Sequence, residues 1–88
     1  MSVAFGDVIF DLVDYDQDAD VLYLSTGGVT PVEREESSEG HVLRFDENGK
    51  ICGMTIIGVS RYVDSEGNAE VSFPRQKIGL SEVNLVTA

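Results

Sequence analysis

The chain has 88 residues, enough for one small domain, and its sixteen acidic and six basic side chains give a formal net charge of −10. This charge argues against binding to nucleic acid or to an anionic membrane surface, because both require positive charge. The single cysteine, Cys52, excludes an internal disulfide, and the single histidine, His41, excludes a metal centre built from several His and Cys side chains of one chain.

The first half of the chain predicts two strands joined by an acidic turn. Residues 8–15 predict a strand, because a period of two places Val8, Phe10 and Leu12 on one face and Ile9, Asp11 and Val13 on the other. Residues 16–20 predict a turn, and Val21–Ser25 predicts a second strand with apolar side chains on both faces. Residues 30–40 are polar and acidic and contain a proline near their start, so they predict a loop or a weak edge strand.

The middle of the chain predicts a hairpin. Residues 41–46 form the third predicted strand, with His41, Leu43 and Phe45 on one face. Asn48-Gly49 then predicts a type I′ turn, because both residues tolerate the positive φ that this turn requires. Residues 51–60 are apolar on both faces and predict the fourth strand, in which Gly53 indicates a bulge or a close backbone approach.

The last third of the chain has weaker patterns. A turn at residues 66–68 precedes a fifth predicted strand, Ala69–Phe73. Residues 80–88 carry apolar side chains at helical spacing, with Ser81 as the expected N-cap, and predict a short C-terminal helix over residues 81–86. A strand at residues 81–86 remains the alternative.

These elements predict a mainly β fold of the α+β class: an antiparallel β-meander of four to five strands with a short C-terminal helix. Residues 1–88 form a single domain, with its core in residues 13–60 and a C-terminal extension in residues 61–88. The second and fourth strands are apolar on both faces, so both faces of the sheet need cover. One helix covers only one face, and we expect a second copy of the chain to cover the other in a homodimer. In a monomer, the acidic loop and the N-terminal residues would have to cover that face.

Four aspartates alternate in the stretch DYDQDADVLYLS: Asp14, Asp16, Asp18 and Asp20. The first three fit positions 1, 3 and 5 of the EF-hand calcium loop, but Ala19 replaces the glycine at position 6 and Ser25 replaces the glutamate at position 12. The EF-hand interpretation therefore fails, and only a weak divalent-cation site remains open. The preferred interpretation is structural, since Asp carboxylates close turns by accepting backbone N–H groups. Asp20 is the aspartate that we assign most firmly to this role.

The sequence contains no catalytic motif and predicts a protein that is not an enzyme and holds no cofactor. Nothing near the aspartates supplies a nucleophile, a basic orienting group or an oxyanion hole. Cys52 lies in the apolar context ICGM and is expected to act as a small buried hydrophobic residue. Paired acid–base carboxylates would need burial to separate their pKa values, whereas the aspartates lie in a predicted surface turn.

The alternative function is a small-molecule or weak divalent-metal-binding β domain. Tyr15, Tyr23, His41 and Arg44 are the polar side chains that could converge on a pocket between strands. Each also has an ordinary structural interpretation. A strand tyrosine usually packs its ring and leaves its hydroxyl in water, and His41, at the start of a strand, is expected at the surface.

The chain resembles the DUF2283 family, a small bacterial and archaeal domain of unknown function. The stretch YDQDADVLYLS is similar to the first family signature, and FDENGKICGMTIIGVS is similar to the second. The signature residues that carry structural roles are Tyr15, Asp16, Ala19, Asp20, Leu22, Tyr23, Asn48, Gly49 and Gly53. The resemblance implies a small β-meander that tends to associate, with no established activity and no assigned catalytic residues.

The partners and location follow from the charge and from this resemblance. Some relatives resemble the partners of toxin-like proteins in their genetic setting, which implies an antitoxin-like role. An acidic protein can neutralise a basic one by presenting carboxylates where phosphates would bind. The acidic stretch at residues 33–39 and the aspartate turn are the expected contact surfaces for a basic protein partner. The N-terminal residues lack the positively charged start of a signal peptide, so a cytoplasmic location is expected.

Overall fold

The computed structural model describes residues 2–85 and is built almost entirely of strands. Helical structure among the described residues is limited to the 3₁₀ turn Val59–Arg61. No helix within residues 2–85 is long and apolar enough to cross a membrane. The strands are β1 Val3–Phe5, β2 Val8–Phe10, β3 Leu12–Asp16, β4 Val21–Ser25, β5 Glu33–Glu36, β6 Val42–Phe45, β7 Ile51–Ile57, β8 Ala69–Phe73 and β9 Gln76–Leu80.

A five-stranded antiparallel sheet forms the centre of the molecule, in the order β3-β4-β7-β6-β5. The two strands with apolar residues on both faces, β4 and β7, are neighbours inside the sheet, whereas the predicted meander would place β6 between them. The acidic strand β5 lies at one edge, so of the two alternatives for residues 30–40, a loop or a weak edge strand, the second is present at Glu33–Glu36. Charged side chains at such an edge discourage pairing with a further strand.

Two hairpins, β1-β2 and β8-β9, cover one face of this sheet. They form one layer because Ala4 and Ser81 exchange backbone hydrogen bonds of 3.2 and 2.9 Å between the beginning and the end of the described chain. The core lies between this layer and the sheet. Its fully buried side chains include Val3, Phe10, Leu22, Leu24, Leu43, Met54, Ile56, Val59, Val71, Ile78 and Leu80.

Gly53 marks an irregularity in the sheet, as its place inside a strand predicts. The pairing of β6 with β7 shifts register between Arg44 and Phe45, which lie opposite Gly53 and Ile51. A Cβ atom on Gly53 would lie 3.3 Å from the carbonyl oxygen of Leu24 on the neighbouring strand. The glycine therefore permits both the bulge and the close backbone approach.

The turn between β6 and β7 is not the type I′ turn that Asn48-Gly49 predicts. Only Gly49 has positive φ, at 76°, whereas Asn48 does not. The Gly49 N–H donates to the Asp46 carbonyl over 3.0 Å, and the Asp46 N–H donates to the Lys50 carbonyl over 2.8 Å. The Asp46 carboxylate accepts the N–H groups of Asn48 and Lys50, each over 2.9 Å. This carboxylate stabilises the longer turn, in which only the glycine needs a left-handed conformation.

The same arrangement recurs eighteen residues later, before β8, where Asp64 takes the place of Asp46. Its carboxylate accepts the N–H groups of Glu66 and Asn68 over 2.8 and 3.0 Å. Gly67, with φ of 79°, takes the left-handed position. The turn predicted at residues 66–68 and the strand predicted at Ala69–Phe73 are therefore both present.

Two sequence predictions about the elements are wrong. Residues 8–15 are not one strand: the chain passes from the covering layer to the sheet at Asp11, whose carboxylate accepts the Gly27 N–H over 2.8 Å. The C-terminal helix is not present in residues 80–85, because Leu80 ends β9 and Ser81 pairs with Ala4. Glu82 then turns the chain with φ of 63°. Val86, the last residue of the predicted helix, lies outside the described residues.

The architecture is mainly β and antiparallel, which confirms the coarse fold class. It differs from the predicted meander because it has a second layer, made from the N-terminal residues and from β8-β9. The N-terminal residues thus cover the same face as the C-terminal hairpin, and the opposite face of the five-stranded sheet stays open among the described residues.

Candidate functional site

The open side of the five-stranded sheet, here called the outer face, is formed by alternate residues of its five strands. Register and burial assign to this face the odd-numbered residues of β4, the even-numbered residues of β3, β5 and β6, and Gly53, Thr55 and Ile57 of β7. Leu12, Tyr23 and Ile57 are 54, 44 and 40% exposed here, although they are large hydrophobic residues. They lie on the adjacent strands β3, β4 and β7 and form a diagonal apolar stripe, which an isolated chain leaves in water.

Arg44 crosses the middle of the outer face. The stem of its side chain passes over Gly53, where an added Cβ atom would be 3.6 Å from both Cβ and Cδ of the arginine. Its Nη2 then donates to Oγ1 of Thr55 over 2.9 Å, and Thr55 is only 8% exposed. Because Gly53 has no side chain, the arginine side chain can cross β7 at this position. Its guanidinium therefore lies close to the centre of the sheet.

Charges border the apolar stripe on both sides. Asp14 and Asp16 lie on β3 at one edge, and Arg34 and Glu36 lie on β5 at the other, where they form a 3.3 Å salt bridge. Together with Arg44, the outer face carries three carboxylates and two guanidinium groups. It is almost balanced in charge within a chain whose net charge is −10.

The aspartate turn is a structural element. Asp16 accepts the Ala19 N–H over 3.1 Å and so closes the turn. That role was predicted most firmly for Asp20, which instead contacts more distant residues. Asp20 has a left-handed backbone, with φ of 56°, and its carboxylate accepts the Tyr15 hydroxyl over 2.7 Å. It also accepts the hydroxyl of Ser60 over 2.6 Å and the Ser60 N–H over 3.2 Å.

The Tyr15–Asp20–Ser60 contact ties the turn after β3 to the 3₁₀ turn after β7. The hydrogen bond from Ser60, followed by that from Tyr15, lowers the pKa of Asp20 below its usual value. The same carboxylate raises the pKa of Tyr15, chiefly through the hydrogen bond between them. The Asp20 carbonyl also accepts the N–H groups of Gly58 and Val59 over 2.8 and 3.2 Å. One residue therefore fixes the end of β7 through both its side chain and its backbone.

The four aspartates are not brought together as a cation site. Asp16 and Asp20 have the separate partners described above, and Asp14 and Asp18 form no side-chain hydrogen bond within residues 2–85. Among the described residues, no group of three or more His, Cys, Asp and Glu side chains is arranged to hold a metal ion.

The predicted small-molecule pocket is also not assembled. Tyr23 and Arg44 lie on the outer face, whereas Tyr15 packs against the core and His41 is buried on the other side of the sheet. The expectation of a surface His41 is wrong, since this side chain is 1% exposed. Its Nδ1 accepts the Ile57 N–H over 3.0 Å, and its Nε2 is 3.2 Å from the Tyr62 hydroxyl. Its buried position was not predictable from one polar residue at the start of a strand.

Cys52 is buried, as its apolar context predicts. Burial raises the pKa of its thiol above the ordinary value, and the nearby carboxylate of Asp46 acts in the same direction. A thiol with a raised pKa is a poor nucleophile at neutral pH, because only the thiolate reacts readily.

Comparison with protein families decides the classification. The family model DUF2283, described as a protein of unknown function, matches residues 12–60, more than half of the chain. The chain belongs to the DUF2283 family. The DUF2283 match begins at the first residue of β3 and ends at Ser60, so it contains the whole five-stranded sheet and both ends of the Asp20–Ser60 contact. The hairpins β1-β2 and β8-β9 lie outside the DUF2283 match. Comparisons with curated proteins and with solved structures gave no match.

The contact of Tyr15, Asp20 and Ser60, which lies within the DUF2283 match, gives a direct stability test. Replacing Asp20 with asparagine keeps a residue that tolerates positive φ but weakens the hydrogen bonds with Tyr15 and Ser60. We expect a lower melting temperature near neutral pH, whereas Asp18→Asn, a matched change in the same turn, should have no effect. Because the folded pKa of Asp20 is lowered, its contribution is present above its unfolded value of about 3.9 and is lost as the pH falls through the folded pKa. The melting temperatures of Asp20→Asn and of the wild type should therefore converge in acid. An Asp20→Asn variant as stable as wild type at neutral pH would contradict this role.

Proposed function

We propose that this DUF2283 protein is a non-enzymatic interaction module that forms a homodimer through the outer face of its five-stranded sheet. The observation that carries the proposal is the exposed stripe of Leu12, Tyr23 and Ile57 on a sheet whose other face is already covered. Burying such a stripe is favourable by about 25 cal/mol for each Å² of apolar surface removed from water. A small domain gains proportionally more from this burial, because its own core is limited.

The charge distribution favours a second copy as the occupant of this face. A chain of net charge −10 repels its own copies over most of its surface. On the outer face, however, acidic and basic side chains are nearly balanced and lie on opposite sides of the apolar stripe. A surface that offers both charges can pair with itself around a two-fold axis. A basic protein partner, which the net charge predicts, would not be favoured by a face on which acidic and basic side chains are nearly balanced. That partner stays a prediction.

The test is the mass of the protein in solution. Size-exclusion chromatography with light scattering is expected to give twice the mass of one chain for the wild type, with dissociation on dilution. Tyr23→Lys should give the mass of one chain, because it places a charge in the centre of the apolar stripe. Ile9→Lys is the matched control: Ile9 is 58% exposed but lies on β2, outside the outer face, so the dimer should persist. A wild-type mass of one chain at the highest attainable concentration would refute the proposal.

A further inference from the structure

We propose that Arg44 of one copy pairs with Asp14 of the second copy, in a dimer whose two-fold axis runs parallel to β4 and β7. This inference rests on the proposed function, since it requires the homodimer, and it adds the orientation of the two chains and the residues that select it. Its starting point is that Arg44 reaches the middle of an exposed apolar surface and forms no salt bridge with the described residues.

Arg44 has no carboxylate partner among the described residues, although the chain is strongly acidic. Within residues 2–85, the salt bridges are Arg34–Glu36 and Lys77–Glu70, and neither includes Arg44. Its guanidinium donates to the Thr55 hydroxyl, while a guanidinium has five N–H donors in all. If a second apolar surface displaced the water around it, the remaining donors would need an acceptor, and a carboxylate is the strongest one.

The order of the strands limits which carboxylate of the second copy can lie opposite Arg44. For two sheets packed face to face, a two-fold axis perpendicular to the strands places β3 over β3 of the second copy. Asp14 and Asp16 would then lie against the same acidic strand of the second copy, which is repulsive. An axis parallel to the strands, running between β4 and β7, instead places β3 over β6 and β4 over β7. The strand β3 of each copy, which carries Asp14 and Asp16, then faces the strand β6 of the other copy, which carries Arg44. Two-fold symmetry makes this contact occur twice.

The register makes the contact specific. Asp14 pairs with Tyr23, Tyr23 with Thr55, and Thr55 with Val42, so these residues lie at one level across four strands. The parallel axis places Asp14 of the second copy above Val42, one strand spacing of about 4.8 Å from Thr55. Because the Arg44 guanidinium is hydrogen-bonded to Thr55, it lies within reach of the Asp14 carboxylate of the second copy. Tyr23 of the second copy then lies above Thr55 and presents its ring to the same guanidinium.

The experiment exchanges the charges between two variants, Arg44→Glu and Asp14→Arg. Each alone should raise the dissociation constant of the homodimer by at least about tenfold, because each places like charges together at two equivalent contacts. An equimolar mixture of the two should form a heterodimer. In this mixed dimer one chain carries acidic side chains at positions 14 and 44 and the other carries basic ones, so both contacts join opposite charges. Light scattering with one variant carrying a mass tag distinguishes the species, and circular dichroism confirms that both variants are folded.

The matched control is Asp18→Arg, which makes the same change of charge in the turn, outside the outer face, and should leave the homodimer intact. Three outcomes would overturn the pairing while the homodimer stands: Arg44→Glu remaining dimeric, Asp14→Arg remaining dimeric, or a mixture that yields no heterodimer. A wild-type protein with the mass of one chain would overturn the proposed function itself, so the two failures are distinguishable.

Discussion

Replacing Phe10 with alanine is expected to lower the free energy of unfolding by about 3–5 kcal/mol. Phe10 ends β2, is completely buried, and belongs to the layer that covers the inner face of the sheet. The substitution removes a large apolar side chain and leaves a cavity that the short hairpin fills only in part. A domain of this size has a total stability of about 5–15 kcal/mol, so the loss is a large share of the whole.

Thermal and chemical unfolding, compared at equal protein concentration, check this prediction. The melting temperature should fall by roughly 15–30 °C for a domain of this length. Ile9→Ala is the matched control, because Ile9 is adjacent in the same strand but 58% exposed, and its loss should cost less than about 0.5 kcal/mol. If Phe10→Ala does not fold, Phe10→Leu should give a folded protein with a smaller loss. Equal effects at Phe10 and Ile9 would show that β2 does not cover the core.

Acidification below about pH 6.5 is expected to destabilise the protein through His41. A backbone N–H can only donate, so Nδ1 of His41, which accepts the Ile57 N–H, must be unprotonated in the folded chain. The neutral ring therefore carries its proton on Nε2, which donates to the Tyr62 hydroxyl. Protonation of Nδ1 would place two donors against each other and break the bond to Ile57, next to the exposed end of β7.

The sign of the pH dependence follows from the pKa of His41, which burial lowers. Glu39 raises the pKa and Arg61 lowers it, and burial exceeds both. The folded state then binds fewer protons than the unfolded state, so stability is complete above the ordinary pKa and falls as the pH decreases below it. One histidine contributes a slope of at most about 1.4 kcal/mol per pH unit.

Urea unfolding at constant ionic strength, between about pH 8 and pH 5.5, measures this slope. The matched variant is His41→Asn, whose side-chain oxygen can take the place of Nδ1 as an acceptor but does not titrate. It is expected to be less stable at high pH, because it loses the ring contacts with Tyr62 and Phe73, and to show a flatter pH profile. Identical slopes for the variant and the wild type would exclude His41 as the source.

The sequence was informative where one residue pattern has one structural solution. Val21–Ser25 and the residues of β7 are apolar on both faces, which predicts a sheet whose two faces both need cover. Within the described residues one face is covered by the two hairpins, and the other is the outer face. Gly53 inside such a strand correctly indicated an irregular pairing. The open outer face follows from the same two strands, since Tyr23 and Ile57 alternate with core residues along β4 and β7.

Other features depended on contacts that sequence patterns do not contain. The helical spacing of Leu80 and Val83 arises because Glu82 turns the chain in a left-handed conformation, so that both side chains reach the core without a helix. The turn-closing bond expected most firmly from Asp20 is made by Asp16, because Asp20 contacts Ser60, which is forty residues away. Arg44 was predicted as a pocket residue, but its position depends on a channel over Gly53 that only the sheet register creates.

The bonds between Ala4 and Ser81 also join residues that are far apart in the sequence, which bears on the rate of folding. The covering layer takes one hairpin from each side of the central sheet in sequence, and the two hairpins meet at these residues. The two hairpins are separated in sequence by the whole five-stranded sheet, so the covering layer forms through long-range contacts, whose loop-closure entropy must be overcome before the contacts stabilise the fold. We therefore expect the chain to refold more slowly than a domain of the same length whose contacts are local.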